Sequence, residues 1–364
     1  MILRRIALPL AVTVLAAVAV PVPAVADTVR DQQWHLDFMH VTEAQRISQG
    51  EGVLVAVADT GVEASVPELA GAVIPGKDFG GNTGDGRHDP QGHGTAMAAL
   101  IAGRGRGGDK GVLGIAPKAT ILPIQLSPDF DFAMGYARDV AAAIDYAVSQ
   151  GAKVICLSVG SGDNQSVRAA IQKALDADVV VVAAAGNKPD VGSVDFPARV
   201  PGVVAVGAVD RNGERAAISV AGPELTLVAP GVDIAAVDAA GRTRTGTGTS
   251  DANALVVGAV ALIRARYPQL KGPDVVRRLT ETALDKGEPG KDPVYGYGVI
   301  DLVKALTADV PPALTSASPS PSAAPGNGGS GRTAAVIAAI GAAVVVMVFI
   351  AVLQTILRGR RRRP

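Results

Sequence analysis

The fold is decided by the stretch Val53-Leu54-Val55-Ala56-Val57-Ala58-Asp59-Thr60-Gly61, an apolar run that stops at a carboxylate. Its apolar residues follow one another without alternating with polar ones, which is typical of a strand buried on both faces of a parallel sheet. Functional sites in such sheets form at the carboxyl ends of the strands. Asp59 stands at such an end, which makes it a candidate functional residue as well as a candidate turn residue.

Similar apolar runs recur along the chain and alternate with segments of helical periodicity. The other predicted strands are 120–126, 154–159, 179–184 and 203–206, and the predicted helices are 96–102, 132–149, 167–177 and 252–266. This alternation predicts an α/β fold in which helices cover both faces of a mostly parallel sheet. The sequence shows no internal repeat.

Three more short motifs stand at predicted strand ends and helix starts. They are Gly92-His93-Gly94-Thr95, Ala184-Ala185-Gly186-Asn187 and Gly248-Thr249-Ser250. Taken singly, a serine at a helix start is usually an N-cap, and an asparagine after glycine is usually a turn residue. Their joint occurrence with Asp59, in the order Asp, His, Ser, favours a catalytic site.

These residue types suit nucleophilic catalysis. A serine hydroxyl becomes a good nucleophile when a neutral imidazole removes its proton, and a carboxylate fixes the imidazole tautomer and stabilises the imidazolium. A side-chain amide and the N–H groups at a helix start can stabilise the oxyanion that then develops. The motifs therefore indicate serine-based acyl transfer.

With these motifs in this order, the chain resembles the subtilisin-like serine proteases, the subtilases. Further matching blocks are Gly114-Ile115-Ala116-Pro117, Val228-Ala229-Pro230-Gly231 and Gly296-Tyr297-Gly298, and the resemblance covers residues 50–305. It implies a subtilisin-like three-layer fold and serine endopeptidase activity.

The resemblance also implies a role for each site residue. Asp59 would orient His93, His93 would be the base, Ser250 would attack, and Asn187 would hold the oxyanion together with the Ser250 N–H. The polypeptide substrate would bind as an added β-strand. The residues implied in substrate binding are Leu157, Ser158, Val159 and Gly160, with Ala184, Ala185 and Gly186 as another wall of the pocket for the residue before the scissile bond.

The two ends of the chain predict export and membrane anchoring. Residues 1–26 are typical of a signal peptide, with two early arginines, an apolar run and a small-residue cleavage site; an uncleaved anchor is the alternative. Residues 310–332 form a Pro/Ser/Gly-rich tether, and 333–357 contain an uncharged stretch long enough to span a bilayer. The basic tail 358–364 is then predicted to lie on the cytoplasmic side. A buried core helix is the alternative, but such a helix would not end in five arginines.

This layout resembles the mycosins, the membrane-anchored subtilases that accompany type VII secretion in actinobacteria. The resemblance implies an N-terminal extension at 27–49, a peptidase domain at 50–309 outside the cell, and a type VII secretion machine as partner. Since the first strand already begins at Val53, little room is left for a separate inhibitory propeptide domain. We expect the extension to pack on the peptidase body with Trp34 as its apolar anchor; a frayed terminus is the alternative.

Charge and cysteine content exclude several function classes. Lys and Arg number 34 and so do Asp and Glu, but residues 27–309 carry 26 basic against 34 acidic side chains, which disfavours a nucleic-acid binder. The single cysteine, Cys156, excludes an intramolecular disulfide and a cysteine-based zinc site.

No cofactor is predicted, although structural calcium is an open possibility. The loop carboxylates that could hold it have no diagnostic spacing, so we expect solvated loops instead; they are Asp78, Asp85, Asp89, Asp129 and Asp131. His35, His40 and His88 are scattered singly, which favours packing or surface roles over metal binding.

Four departures from the subtilase pattern are present, and two of them, Asp251 and Ala254, suggest a second hypothesis together with the predicted membrane anchor. The family usually has His-Pro where this chain has Val66-Pro67, and an Asn where it has Cys156. After Ser250, Asp251 and Ala254 replace an apolar residue and a proline. Because Asp251 puts negative charge beside the nucleophile, the alternative function is a weakly active or non-catalytic structural partner of a secretion complex. An α/β-hydrolase esterase is excluded, since its Gly-x-Ser-x-Gly motif does not surround the serine.

Overall fold

A computed structural model describes residues 28–80, 83–127 and 134–311. The predicted signal peptide, the predicted span 333–357, the basic tail and all but the first two residues of the tether lie outside these ranges. Among the described residues, no helix has the length and apolar character needed to cross a bilayer. Membrane anchoring through 333–357 therefore stays a prediction.

A seven-stranded parallel sheet forms the centre of the domain. Its strands are β1 (Leu54–Asp59), β2 (Lys77–Asp78), β3 (Thr120–Gln125), β4 (Val154–Leu157), β5 (Val180–Ala184), β6 (Val204–Val209) and β7 (Leu227–Pro230). They lie in the order β2-β3-β1-β4-β5-β6-β7, so β1 is an interior strand between β3 and β4. A separate antiparallel hairpin consists of β8 (Ile234–Val237) and β9 (Thr243–Gly246).

Helices cover both faces of this sheet. They are α1 (Thr28–Gln32), α2 (Trp34–Phe38), α3 (Val41–Ile47), α4 (His93–Ala102), α5 (Met134–Ser149), α6 (Gln165–Asp176), α7 (Thr249–Arg266), α8 (Gly272–Thr282) and α9 (Leu302–Thr307), with a 3₁₀ turn at Pro67–Leu69. Helices α4 and α7 share one core with the sheet, and α5 and α6 share the other. This arrangement confirms the predicted three-layer α/β fold.

The continuous apolar runs are explained by the two cores. Successive side chains of a strand point to opposite faces. In β1, Val55 and Val57 enter the core of α4 and α7, whereas Ala56 and Ala58 enter the core of α5 and α6. Helix α7 is buried on nearly all sides, as expected of a helix that is apolar all round.

The N-terminal extension lies against the peptidase body. Trp34 Nε1 donates a hydrogen bond to Val232 O at 3.1 Å, and Gln45 Nε2 donates to Gly114 O at 2.8 Å. Val41 is fully buried in the core that contains α4 and α7. Residues 28–49 are thus a packed part of the domain, and Trp34 makes one of their contacts with the peptidase body. That the mature enzyme retains this segment stays a prediction.

Candidate active site

The carboxyl end of β1 meets the start of α4 at a short hydrogen bond. Asp59 Oδ1 lies 2.7 Å from His93 Nδ1, and the same oxygen accepts the Thr60 N–H at 2.8 Å. The Asp59 carboxylate is almost fully buried, whereas one third of the His93 side chain is exposed. The imidazole is therefore held on one side by a buried acceptor and remains open to solvent on another.

A second buried carboxylate, Asp89, fixes the loops on either side of this pair. Its Oδ1 accepts from Thr60 Oγ1 at 2.7 Å and from Gly92 N at 2.8 Å, and its Oδ2 accepts from Thr95 N at 2.9 Å. The Thr60 hydroxyl oxygen in turn accepts the Gly94 N–H at 3.0 Å. Asp89 is only 3% exposed, so the expected solvated loop is wrong here because the carboxylate caps the backbone of the first turn of α4. Asp78, 8% exposed, also departs from that expectation.

Glycine is required at the start of α4 for close approach. A side chain at Gly94 would overlap the Gly61 carbonyl oxygen and press on Asp59 Cβ. Gly92 has φ +81°, a left-handed conformation that glycine adopts without strain. The glycines on both sides of His93 therefore bring the helix start against the end of β1.

The charges around His93 raise its pKa above the ordinary value. The largest cause is the negative charge of Asp59; burial opposes it, and the Asp59 hydrogen bond and the Asp251 charge add to it. The positive charge of Arg244 acts in the opposite direction. His93 thus has the hydrogen bonding and basicity of a general base.

Asn187 caps the start of α7, where Ser250 lies. Its Oδ1 accepts the Thr249 N–H at 2.9 Å and the Thr249 hydroxyl at 3.2 Å, and Thr249 Oγ1 accepts the Gly186 N–H at 3.2 Å. These bonds engage the amide oxygen and leave Asn187 Nδ2 without a hydrogen bond in the described part of the chain. Ser250 follows in the first turn, where backbone N–H groups have no acceptor within the helix.

A cavity of about 210 Å³ opens beside Ser250 and Asn187. Of the predicted substrate-binding residues, Ser158, Val159, Gly160, Ala184 and Gly186 line it. Leu157 and Ala185 do not: both are fully buried in the core of α5 and α6. Because side chains alternate along a strand, their backbone groups can border the cavity while their side chains face away from it.

No hydrogen bond joins His93 Nε2 to Ser250 Oγ within the described residues. Catalytic hydrogen bonds are often long in an enzyme without substrate and shorten only in the complex. The structure places His93 in contact with Asp59, and both Ser250 and Asn187 line the same cavity.

Asp251, next to the nucleophile, is buried and lies near a cation. It is 3% exposed, and its Oδ1 is 3.6 Å from Nη2 of Arg244 on β9. No described residue donates a hydrogen bond to this oxygen. Burial raises the pKa of the Asp251 carboxyl, and the charges of Arg244 and His93 oppose that rise. The negative charge that the sequence placed beside Ser250 is therefore partly balanced by Arg244.

Asn253 is a buried polar residue near the site that the sequence analysis missed. It is fully buried on α7, and its Nδ2 donates to Ser158 Oγ at 3.0 Å and to Cys156 Sγ at 3.3 Å. Cys156 on β4 occupies the position where subtilases usually have an asparagine. The side-chain amide of Asn253 on α7 therefore lies next to the position at which β4 has no amide side chain. The sequence did contain a signal for this residue, because Asn253 is a polar residue within an otherwise apolar helix, two positions after Asp251.

The described residues include no group of three or more His, Cys, Asp or Glu side chains that could hold a metal ion. His35 is fully buried and neither ring nitrogen has a hydrogen bond within the described residues, while His88 is exposed beside Glu63. Both observations agree with packing and surface roles.

The chain is similar in sequence to known proteins. Residues 50–298 match the Subtilase family. The chain is 34% identical to Mycosin-1 of Mycobacterium tuberculosis over 85% of its own length and 82% of that protein. It is 35% identical to a thermostable alkaline protease of Halalkalibacterium halodurans, over 75% of this chain and 73% of that protein.

A solved structure agrees with these relatives. The serine protease MycP1, described as an essential component of the type VII (ESX-1) secretion system, matches with a TM-score of 0.68 and 34% identity, over 77% of this chain and 89% of that chain. From its motifs, its fold and these matches, the chain belongs to the subtilase family of serine endopeptidases.

Proposed function

We propose that this subtilase is a membrane-anchored extracellular endopeptidase that works with a type VII secretion machine. The catalytic proposal rests above all on the 2.7 Å contact between Asp59 and His93, placed across the sheet end from the capped start of α7. The similarity to MycP1 and Mycosin-1 supports the secretion partner. The sequence patterns of 1–26 and 333–364 support export and anchoring.

In the proposed reaction, Ser250 Oγ attacks the carbonyl carbon of the scissile peptide bond. His93 accepts the serine proton at Nε2, while its Nδ1–H stays hydrogen-bonded to Asp59, which stabilises the imidazolium. Asn187 Nδ2 and the Ser250 N–H donate to the oxyanion. His93 then gives the proton to the leaving amine, and water releases the acyl group by the reverse steps.

The substrate is proposed to bind as an extended strand between the two segments that border the cavity. Ser158–Gly160 follow β4, and Ala184–Gly186 lie at the end of β5. Backbone groups at these strand ends can pair with a polypeptide, and the cavity can receive one substrate side chain.

The catalytic proposal is tested by replacing site residues and measuring peptide hydrolysis. Ser250→Ala and His93→Ala should each lower kcat by several orders of magnitude, because the members of a triad act as a unit. Asn187→Ala should cost less, about 10²–10³, the loss known for an oxyanion donor in subtilisin. Labelling by a fluorophosphonate probe should vanish in Ser250→Ala; a folded variant that keeps near-full activity would exclude the triad.

A second candidate function is favoured by the buried carboxylate of Asp251. If that charge suppresses catalysis, the protein would serve the secretion complex as a structural partner. The two functions separate in cells: a strain carrying Ser250→Ala should lose processing of its exported substrates if the protein acts as a protease. Normal processing and normal secretion in that strain would favour the structural role.

A further inference from the structure

The cavity beside Ser250 is lined by acidic residues and, among the residues that the structure describes, by no basic ones. Its lining includes the acidic residues Asp190 and Asp195, and no Lys, Arg or His of the described chain lines it. Asp190 is exposed, whereas Asp195 is partly buried. The arrangement is more than an acidic cluster, because the same cavity is lined by Ser250 and Asn187.

Asp195 lies between the two walls of the cavity. Its backbone N–H donates to Ala185 O at 2.8 Å, which fixes it to the segment at the end of β5. An atom at the Cβ position of Gly160 would lie 2.5 Å from Asp195 Oδ2, and one at Gly186 would lie 3.2 Å from Asp195 Cβ. Two glycines thus leave the space that this carboxylate occupies.

Within the described ranges, no Lys, Arg or His forms an ion pair with the carboxylate of Asp195. Its Oδ1 accepts the Phe196 N–H at 2.8 Å, and no other described residue donates to its side chain. Arg199 is the cation whose charge reaches it, but Arg199 Nη2 lies 3.4 Å from Asp163 and its guanidinium lies over the Phe196 ring. Burial, the largest cause, raises the pKa of the Asp195 carboxyl, so a cation brought into the cavity would stabilise the charged form.

Building on the proposed function, we propose that this cavity binds the side chain of the substrate residue before the scissile bond and selects Lys or Arg there through Asp195. The aliphatic stem of such a side chain can lie along Val159, Ala184 and Val191, which also line the cavity. Its charged end then reaches the carboxylate in a charge-assisted hydrogen bond. A neutral side chain would leave Asp195 partly desolvated and unpaired.

The test compares the full-length protein on peptides that differ only in the residue before the cleaved bond. Lys and Arg peptides should exceed the Met and Gln peptides in kcat/KM by roughly tenfold or more, as expected for one hydrogen bond to a charged group. Asp195→Asn should bring that ratio close to one. Asp176→Asn, a matched change at an exposed carboxylate of α6, should leave the ratio unchanged.

A binding measurement separates this proposal from the catalytic one. In Ser250→Ala protein, 4-aminobenzamidine should bind and should bind at least about tenfold more weakly after Asp195→Asn. Hydrolysis without preference for basic residues would overturn the cavity assignment and leave the protease function standing. Binding that depends on Asp195, together with no hydrolysis and no probe labelling by the protein that retains Ser250, would support the cavity and overturn the protease function. Absence of 4-aminobenzamidine binding would overturn the cavity assignment.

Discussion

At the residue scale, two opposite charges outside the Asp-His-Ser arrangement affect the pKa of His93. Asp251 and Arg244 affect the same imidazole with opposite sign, and both lie at the edge of the site rather than in the Asp-His-Ser arrangement. The imidazole acts as a base only when it is neutral. The rising limb of the activity profile should therefore lie above pH 6.5, the ordinary value for His.

Removing either charge should move that limb in a known direction. In Asp251→Asn the His93 pKa falls, because a negative charge is lost while Arg244 remains, so the rising limb of kcat/KM moves to lower pH. In Arg244→Gln the pKa rises and the limb moves to higher pH. The pH profile of peptide hydrolysis measures both, and identical profiles for the two variants would show that neither charge reaches the base.

At the element scale, α2 of the N-terminal extension contains a buried base. Burial lowers the pKa of His35 to about 3, and no described residue hydrogen-bonds its ring. The folded state therefore holds a neutral imidazole, whereas the unfolded chain takes up a proton below about pH 6.5. Since the unfolded state binds more protons between these two pKa values, stability falls as the pH drops from 6.5 towards 3.

This linkage predicts a measurable loss of stability in mild acid. At pH 5.5, one unit below the unfolded pKa, His35 should cost about 1.3 kcal/mol of unfolding free energy relative to pH 7. His35→Leu should remove that part of the pH dependence, and His88→Gln, at an exposed position, should not. Urea denaturation followed by the fluorescence of Trp34, the single tryptophan, measures it directly at the neighbouring residue. Equal pH dependence in wild type and His35→Leu would contradict the prediction.

The elements also show how far sequence reasoning reaches. Strands β1, β3, β4, β5 and β6 and helices α4 to α7 were predictable, because long apolar runs and helical periodicity carry strong signals. Strands β2 and β7 were not predicted. The hairpin of β8 and β9 was missed, since its strands have four residues each and β9, Thr243–Gly246, is polar. Helices α4 and α7 begin earlier than predicted, at His93 and Thr249. Their first turns were not predicted as helical because Gly, Thr and Ser have weak helix propensity.

Some residues of the candidate site could likewise be identified from the sequence, and others could not. Asp59, His93, Asn187 and Ser250 were identifiable because their motifs stand at strand ends and helix starts. Asp89, Asn253 and the Arg244–Asp251 pair were not, since their roles depend on contacts between elements far apart in the sequence. Asp195 belongs with them: nothing in its local sequence indicates that it lies between Gly160 and Gly186.

At the scale of the whole molecule, anchoring and catalysis are predicted to be separable. The described domain has its own cores and its own candidate site, and all of it precedes the predicted span 333–357. Deleting 333–364 should therefore move the protein from the membrane fraction to the medium while keeping its specific activity on peptides. Immunoblots of the two fractions, with Ser250→Ala as activity control, check this; retention in the membrane would mean that another segment anchors the chain.

The position of β1 inside the sheet has a consequence for when activity arises. Asp59 ends an interior strand near the beginning of the domain, whereas Ser250 lies on α7 near its end. Contacts between such distant segments form late, because long loops must close first. A chain that crosses a membrane from its N-terminus thus presents the acid and the base early and the nucleophile last. If the chain is exported as proposed, the transport channel would contact only a polypeptide without an assembled triad, and cleavage would begin after nearly the whole domain had passed through.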